Sequence, residues 1–307
     1  MSSSLNVFVC GATGTQGGAL IDHLVKTNTQ IHAVTRTPDS EAAQRLSTLG
    51  VSITKGDFDD DESFRKPMAN CTSLFLNLMP KMTDLNSSLE QARRILKIAK
   101  EVGIKQVIFA SATTADDPSR LKDWDPNSMV GAMMLNKQAI ENEVRNAGFD
   151  YWTILRPANF MTNFLSPMTR MYQGFTETGV FTTAYAPDTI LPMVDPQDIG
   201  RFAAAAVLDP ARFDQQGIPI ASHFLGLEDL IQSLSRATGR ELKVVYLSEE
   251  EVMSQKATNP FIAGQYMGRG MAALVDFEEV KKWNLPLGTF DQFLQHSETH
   301  QAIEIGS

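Results

Sequence analysis

Val9-Cys10-Gly11-Ala12-Thr13-Gly14-Thr15-Gln16-Gly17-Gly18 joins an apolar run, Leu5–Cys10, to an amphipathic one, Ala19–Lys26. A tight turn leaving a strand needs residues free to adopt positive φ. A pyrophosphate can approach the backbone closely only where no Cβ stands in the way, and a helix start offers it unpaired N–H groups and a favourable dipole. Strand, glycine triplet and helix in that order are the context in which such a loop seats a dinucleotide. Gly11, Ala12, Thr13, Gly14, Thr15, Gln16 and Gly17 are therefore the expected phosphate cradle.

Outward from this loop the chain keeps one rhythm as far as residue 157. Strand-like runs at Leu5–Cys10, Ile31–Thr35, Val51–Thr54, Ser73–Leu78, Gln106–Ala110 and Tyr151–Leu155 alternate with helix-like segments at Ala19–Lys26, Glu41–Leu49, Glu62–Ala69, Leu85–Val102 and Met133–Asn146. Strands separated by helices of this length imply right-handed crossovers and a parallel sheet. The strand runs are apolar throughout, as expected when helices cover both faces. Leu85, Leu89, Ala92, Leu96 and Ala99 form one helical stripe, and Gly103 stands just past its end. The rhythm breaks after Pro157, in a stretch rich in aromatics and methionine, and a helix restarts at Asp195-Pro196-Gln197-Asp198 with Asp195 as N-cap. The expected fold is α/β: a Rossmann doubly wound parallel sheet over residues 1–157 and a smaller C-terminal α/β lobe over 158–307. Within that lobe 188–222 is expected to return to the sheet, and 298–307 to form a frayed tail.

Composition narrows the function classes. Hydrophobic residues make up 43% and charged residues 21% of the 307, which is globular rather than disordered or fibrous. No apolar run approaches a membrane span, and the N-terminus lacks the basic start of a signal peptide. The formal charge of −9 comes without a concentrated basic face, so no nucleic-acid partner is expected. Cys10 and Cys71 are too few for a disulfide framework, and the five histidines have no paired-ligand spacing, so no metal site is expected. A soluble, cytoplasmic protein is the expectation.

The ends of the other strands select the cofactor. An NAD site places an acid after the second strand to accept from the ribose 2′-hydroxyl. This chain has Arg36 there, flanked by Thr35 and Thr37, and a guanidinium suits a 2′-phosphate. Asp39 would reach a ribose only if the turn bent back, so NADP(H) is the expected cofactor. Asp57 and Phe58, after the third strand, are placed to meet the adenine amine and flank its ring, while Asp59-Asp60-Asp61-Glu62 reads as a solvated helix start. Asn77-Leu78-Met79-Pro80 is placed to line the ribose and pyrophosphate. Ser111 lies in no GxSxG elbow, which argues against an esterase. The Phe160–Tyr185 stretch suits either an ordinary core or an apolar pocket wall, and Trp124 lies in a loop able to cover such a pocket.

Gly11-Ala12-Thr13-Gly14-Thr15-Gln16-Gly17, Val34-Thr35-Arg36, Leu155-Arg156-Pro157-Ala158-Asn159-Phe160-Met161 and Asp195-Pro196-Gln197-Asp198-Ile199-Gly200 resemble the NmrA-like family of atypical short-chain dehydrogenases. The GxxGxxG spacing is itself the form found in extended and atypical members of that superfamily. The resemblance implies NADP(H) binding, with Pro157, Ala158, Asn159 and Phe160 adding to the cofactor site. It also implies two possible functions. One is NADPH-dependent reduction of a carbonyl, enone or quinone-like group in a small apolar metabolite, of aromatic or polyketide type by the chain's similarity to fungal members. The other is non-catalytic NADP(H) sensing coupled to a protein partner, for which a nuclear location would also fit. A typical short-chain dehydrogenase pairs a proton-donating tyrosine with a lysine four residues on. Here Lys137 matches the lysine and Met133 stands in the tyrosine's place, which resembles the regulatory members and removes the tyrosine mechanism. The isoflavone-reductase branch keeps a lysine at this position as its acid/base, so Lys137 is a candidate catalytic group; it is equally a candidate cofactor-binding residue, a cation that anchors the nicotinamide ribose without catalytic duty. Ser111 matches the family's serine after the fifth strand, where its hydroxyl would either orient a substrate carbonyl or stabilise the turn.

Overall fold

The computed structural model of the chain describes residues 5–79, 81 and 83–296. Pro80, expected in the cofactor groove, and the tail 298–307 lie outside the described residues. The apolar runs become β1 (Leu5–Val9), β2 (Thr29–Thr35), β3 (Ser52–Lys55), β4 (Ser73–Leu76), β5 (Gln106–Ala110) and β6 (Tyr151–Pro157). Between them lie α1 (Thr15–Leu24), α2 (Glu41–Thr48), α3 (Asp61–Met68), α4 (Ser87–Val102) and α5 (Met129–Asn146). The chain continues through β7 (Asn159–Phe160), α6 (Phe175–Thr178), β8 (Val180–Thr183), β9 (Ile190–Val194), α7 (Pro196–Leu208), α8 (Pro210–Phe213), β10 (Gln216–Ile220), β11 (His223–Gly226), α9 (Leu227–Thr238) and β12 (Lys243–Tyr246), and ends in short helices.

The main sheet runs β10-β6-β5-β4-β1-β2-β3. All the pairings from β3 across to β6 are parallel. This is the doubly wound arrangement, and its strand order reverses between β1 and β4, the crevice where such sheets bind ligands beyond their carboxyl ends. The central strands β4 and β5 are buried along their length, but β3 exposes Ser52 and Lys55. Among the described residues it forms the edge of the sheet, with β2 as its neighbour, so the expectation of wholly apolar strands fails there. Helix α4 ends at Gly103, whose φ of 91° no other residue type adopts as readily. Helix α7 crosses α1 at Gly200, where a Cβ would stand 2.4 Å from the Ala19 carbonyl carbon.

The acidic run before α3 divides its labour. Asp60 caps the helix by accepting from the Glu62 N–H. Asp59, exposed as expected, also accepts from Lys81, Gln91 and Arg94. Arg94 also donates to the Phe58 carbonyl, so Asp59 and Arg94 tie the loop after β3 to α4.

The chain forms two compact units: residues 1–116, 135–156 and 199–218, and residues 117–134, 157–198 and 219–307. Of the segment 188–222, only β10 joins the main sheet, whereas β9 pairs with β7 and β11 in a separate one. The second unit also holds the β12–β8 pair. Its core draws on the aromatic stretch: Phe164, Phe175 and Phe181 are fully or nearly fully buried, and the rings of Phe175 and Phe181 meet edge to face at 5.3 Å. Burying those rings is what orders a segment with no regular period. Among the described residues, no helix is long and apolar enough to cross a membrane.

Candidate active site

At the end of β1 the chain turns at Gly11, where φ is 67°, and the Gly14 N–H donates to the Gly11 carbonyl at 3.0 Å. Gly17 lies against that carbonyl so closely that a Cβ would stand 2.3 Å from its oxygen. Gly14 is the N-cap of α1, with no side chain to cap the helix, and no acidic residue occupies the first turn. The first N–H groups of a helix lack intrahelical acceptors, so this end is left for an anion. Ala12 is buried, which leaves its backbone rather than its methyl for any ligand, while Thr13, Gly14 and Thr15 are exposed. The carboxyl end of β4 meets the turn: Asn77 Oδ1 accepts from Gln16 Nε2 at 3.3 Å, and a Cβ on Gly11 would stand 3.1 Å from the Asn77 amide nitrogen. Asn77 thus braces the loop.

Arg36 and Thr37 follow β2 and are exposed. The Thr37 N–H donates to Thr35 Oγ1 at 3.3 Å, which shapes the turn. Among the described residues, no carboxylate pairs with Arg36. After β3, Asp57 is partly spent on its own loop, since its Oδ1 accepts from the Asp59 N–H at 3.0 Å. Phe58 is half-buried and packs on the core of the first unit. Leu78 and Met79 part company: Leu78 is 1% exposed and Met79 77%. Leu78 therefore offers a ligand its backbone, and Met79 its side chain.

Lys137 projects from α5 to the ends of two central strands. Its Nζ donates to the Ala110 carbonyl at 2.9 Å and to the Leu78 carbonyl at 3.3 Å, and it lies 5.1 Å from the centre of the Phe109 ring. Withdrawal from water pushes its pKa down to about 8, against the opposing pull of Glu141 one helical turn on. Met133, one turn earlier, has no proton to give.

Ser111 does something other than the sequence suggests. It is 4% exposed, and its hydroxyl donates to Glu141 Oε1 at 2.7 Å. A hydroxyl has one proton to donate, so Ser111 in this state has none for a substrate carbonyl. Glu141 is fully buried and takes three further bonds: from Arg156 Nε at 2.9 Å, from Arg156 Nη2 at 2.8 Å and from Arg145 Nη2 at 2.6 Å. Glu141 and Arg156 were not recognisable as site residues in the sequence; the one signal was an acid four positions after Lys137 on the same helix.

Pro157 closes β6, and the remaining expected cofactor residues belong to the second unit's own framework. The Ala158 N–H donates to the Ile220 carbonyl at 3.0 Å, and Asn159 Nδ2 donates to the Pro192 carbonyl at 3.3 Å. Asn159 and Phe160, half-buried, form β7, paired with β9.

An uncapped helix start after a glycine turn, at the switch point of a parallel doubly wound sheet, defines a Rossmann-type protein. The sequence signature of the NmrA-like family matches residues 3–295, and the chain belongs to that family. It is 26% identical over 259 residues to the NmrA-like family domain-containing oxidoreductase malD of Malbranchea aurantiaca, covering 78% of this chain and 75% of that protein. Among solved structures, the triphenylmethane reductase of Citrobacter sp. complexed with NADP(H) superposes with a TM-score of 0.75 at 22% identity, over 97% of this chain and 100% of that one. NmrA, a negative transcriptional regulator in complex with NADP, superposes with a TM-score of 0.75 at 17% identity, over 98% and 97% of the two chains. The fold is therefore shared by a reductase and a regulator.

Proposed function

We propose that the chain is an NADPH-dependent oxidoreductase that reduces a carbonyl, enone or quinone-like group of a small apolar molecule, with Lys137 as its proton donor. The observation that carries this reading is the placement of the Lys137 ammonium. An ammonium has three protons to donate, and two are engaged by the Ala110 and Leu78 carbonyls. The third is left for a substrate oxygen. Once it has gone, the neutral amine keeps two N–H groups for the same two carbonyls, so its loss strands no buried acceptor. With its pKa pushed down to about 8, Lys137 is still mostly protonated near neutral pH yet gives up its proton more readily than an ordinary lysine.

The chain's backbone suits the cofactor. The Gly11–Gly17 loop and the uncapped start of α1 would hold the pyrophosphate, Arg36 the 2′-phosphate, and Asp57 with Phe58 the adenine. The exposed Met79, next to the carbonyl that binds Lys137, gives a substrate an apolar surface. When bound, reduced nicotinamide supplies a hydride equivalent. The oxidoreductase names of relatives such as malD support the same class.

Two results follow from these residues. Arg36→Glu removes a charge-assisted contact worth about 1.5–3 kcal/mol, so NADPH affinity is expected to fall roughly 10- to 150-fold while NADH affinity changes little. Equal losses for both would detach Arg36 from the 2′-phosphate. Turnover has an expected alkaline limb: a general acid works while protonated, so kcat/KM should hold below pH 8 and decline as pH rises through about 8, the value of the free protein. A profile flat to pH 10 would remove Lys137 from proton transfer.

Met133 favours a second reading, an NADP(H) sensor that binds a protein partner. NADPH oxidation with a panel of carbonyls, enones and quinones separates the two readings. Turnover above background supports the reductase; NADPH binding with no turnover across the panel supports the sensor.

A further inference from the structure

Glu141 sits where three elements of the first unit converge. It lies on α5, it accepts from Ser111 just beyond β5, and it pairs in bidentate fashion with Arg156 on β6. Ser111 is also fixed from the other side, because its N–H donates to the Leu155 carbonyl at 2.8 Å. The residue before Ser111 is Ala110, whose carbonyl accepts from Lys137. A closed circuit results: Lys137 to the Ala110 carbonyl, along one peptide to Ser111, across to Glu141, and back along one turn of α5 to Lys137.

We propose that Glu141 is the positioning residue of this site: through Ser111 it holds the Ala110 carbonyl against the Lys137 ammonium, and it supplies the negative charge that favours the protonated lysine. The groups facing that ammonium are the Phe109 ring and Ala110 carbonyl of β5, the Leu78 carbonyl after β4, and Glu141 on α5 itself. Of these only Glu141 is ionisable. The charges around Glu141 sharpen its effect. Arg156 and Arg145 sit directly on its oxygens, and Asp116 is 3.7 Å from Arg156 Nη1 and one-third exposed. Neutralising Glu141 would take away the carboxylate charge that favours the Lys137 ammonium and would leave the Arg156 and Arg145 guanidinium groups without the anion they pair with. Ser111 thereby gains a role that its committed hydroxyl allows: it carries the constraint from the helix to the strand end.

The inference deepens the reductase reading and rests on it for its catalytic consequence, but its test needs neither substrate nor cofactor. Lys137 is titrated by the pH dependence of its acetylation with trace acetic anhydride, read by peptide mass spectrometry, in the wild-type, Glu141→Gln, Ser111→Ala and Ser111→Thr proteins. The wild-type midpoint is expected at about 8. Glu141→Gln should lower it by about one pH unit or more, an effect that a merely structural residue would not produce in a folded variant. Ser111→Ala keeps the charge and opens the circuit, so its midpoint should stay near the wild-type value. Its limiting acetylation rate should rise severalfold as the amine loosens from Ala110, and Ser111→Thr should restore the wild-type rate. An unchanged midpoint in folded Glu141→Gln overturns the inference. So does an unchanged limiting rate in Ser111→Ala, which decides the matter even if Glu141→Gln does not fold. Shifted midpoints in a protein without turnover would uphold the positioning role and sink the reductase; turnover with unshifted midpoints would do the reverse.

Discussion

Replacing Lys137 with alanine is expected to lower kcat by about 100- to 10,000-fold, the usual worth of a positioned general acid, while NADPH affinity stays within a few-fold of wild type. The asymmetry follows from geometry. The Lys137 ammonium is held by backbone carbonyls at the ends of β4 and β5, whereas the phosphate cradle is built by the Gly11–Gly17 loop and α1. Met133 provides no substitute acid, and the Ser111 proton is committed to Glu141. Steady-state kinetics with a turned-over substrate, beside a fluorescence titration with NADPH, checks both halves. Parallel loss of affinity and turnover would make the lysine an anchor for the cofactor and leave the proton donor unassigned.

Arg156→Ala is expected to cost about 3–5 kcal/mol of stability, because breaking a buried ion pair strands the partner charge. Glu141 is fully buried and Arg156 nearly so, so solvent cannot replace the two lost bonds easily. The fit around the guanidinium is close: a Cβ on Gly217 of β10 would stand 2.6 Å from Arg156 Nη1. Removing the side chain therefore leaves both an under-paired carboxylate and a cavity against the β10 backbone. Urea denaturation of the two proteins measures the difference. A loss below about 1 kcal/mol, the range of exposed pairs, would show that Arg145 and Ser111 suffice to satisfy Glu141.

The parallel sheet was legible because its evidence is local. Apolar runs, amphipathic helices and a glycine turn each act over a few neighbouring residues, and Gly11, Gly14, Gly17 and Gly103 mark their own turns. The exposed position of Arg36 was legible for the same reason, since it depends only on following β2. Boundaries at the loop ends were less so: α5 begins at Met129 rather than Met133, and β4 stops at Leu76. What sequence order hides is contact across distance. The Ser111–Glu141 bond spans 30 residues and the Asp59–Arg94 pair 35, and neither leaves a periodic trace. Hence Ser111 reads as a substrate donor from its motif, and only its partner shows where the proton goes. Likewise the segment 188–222 reads as returning to the main sheet, yet its strand β9 pairs with β7 and β11, a choice made by tertiary packing rather than by its own residues.

On this reading the glycine turn after β1 and the exposed Arg36 after β2 hold a phosphorylated nicotinamide dinucleotide. Isothermal titration of the purified chain with NADPH and with NADH tests it most directly. NADPH is expected to bind saturably at one site per chain, at least about tenfold tighter than NADH, a difference of about 1.4 kcal/mol. No saturable binding of either dinucleotide would contradict the reductase and the sensor alike.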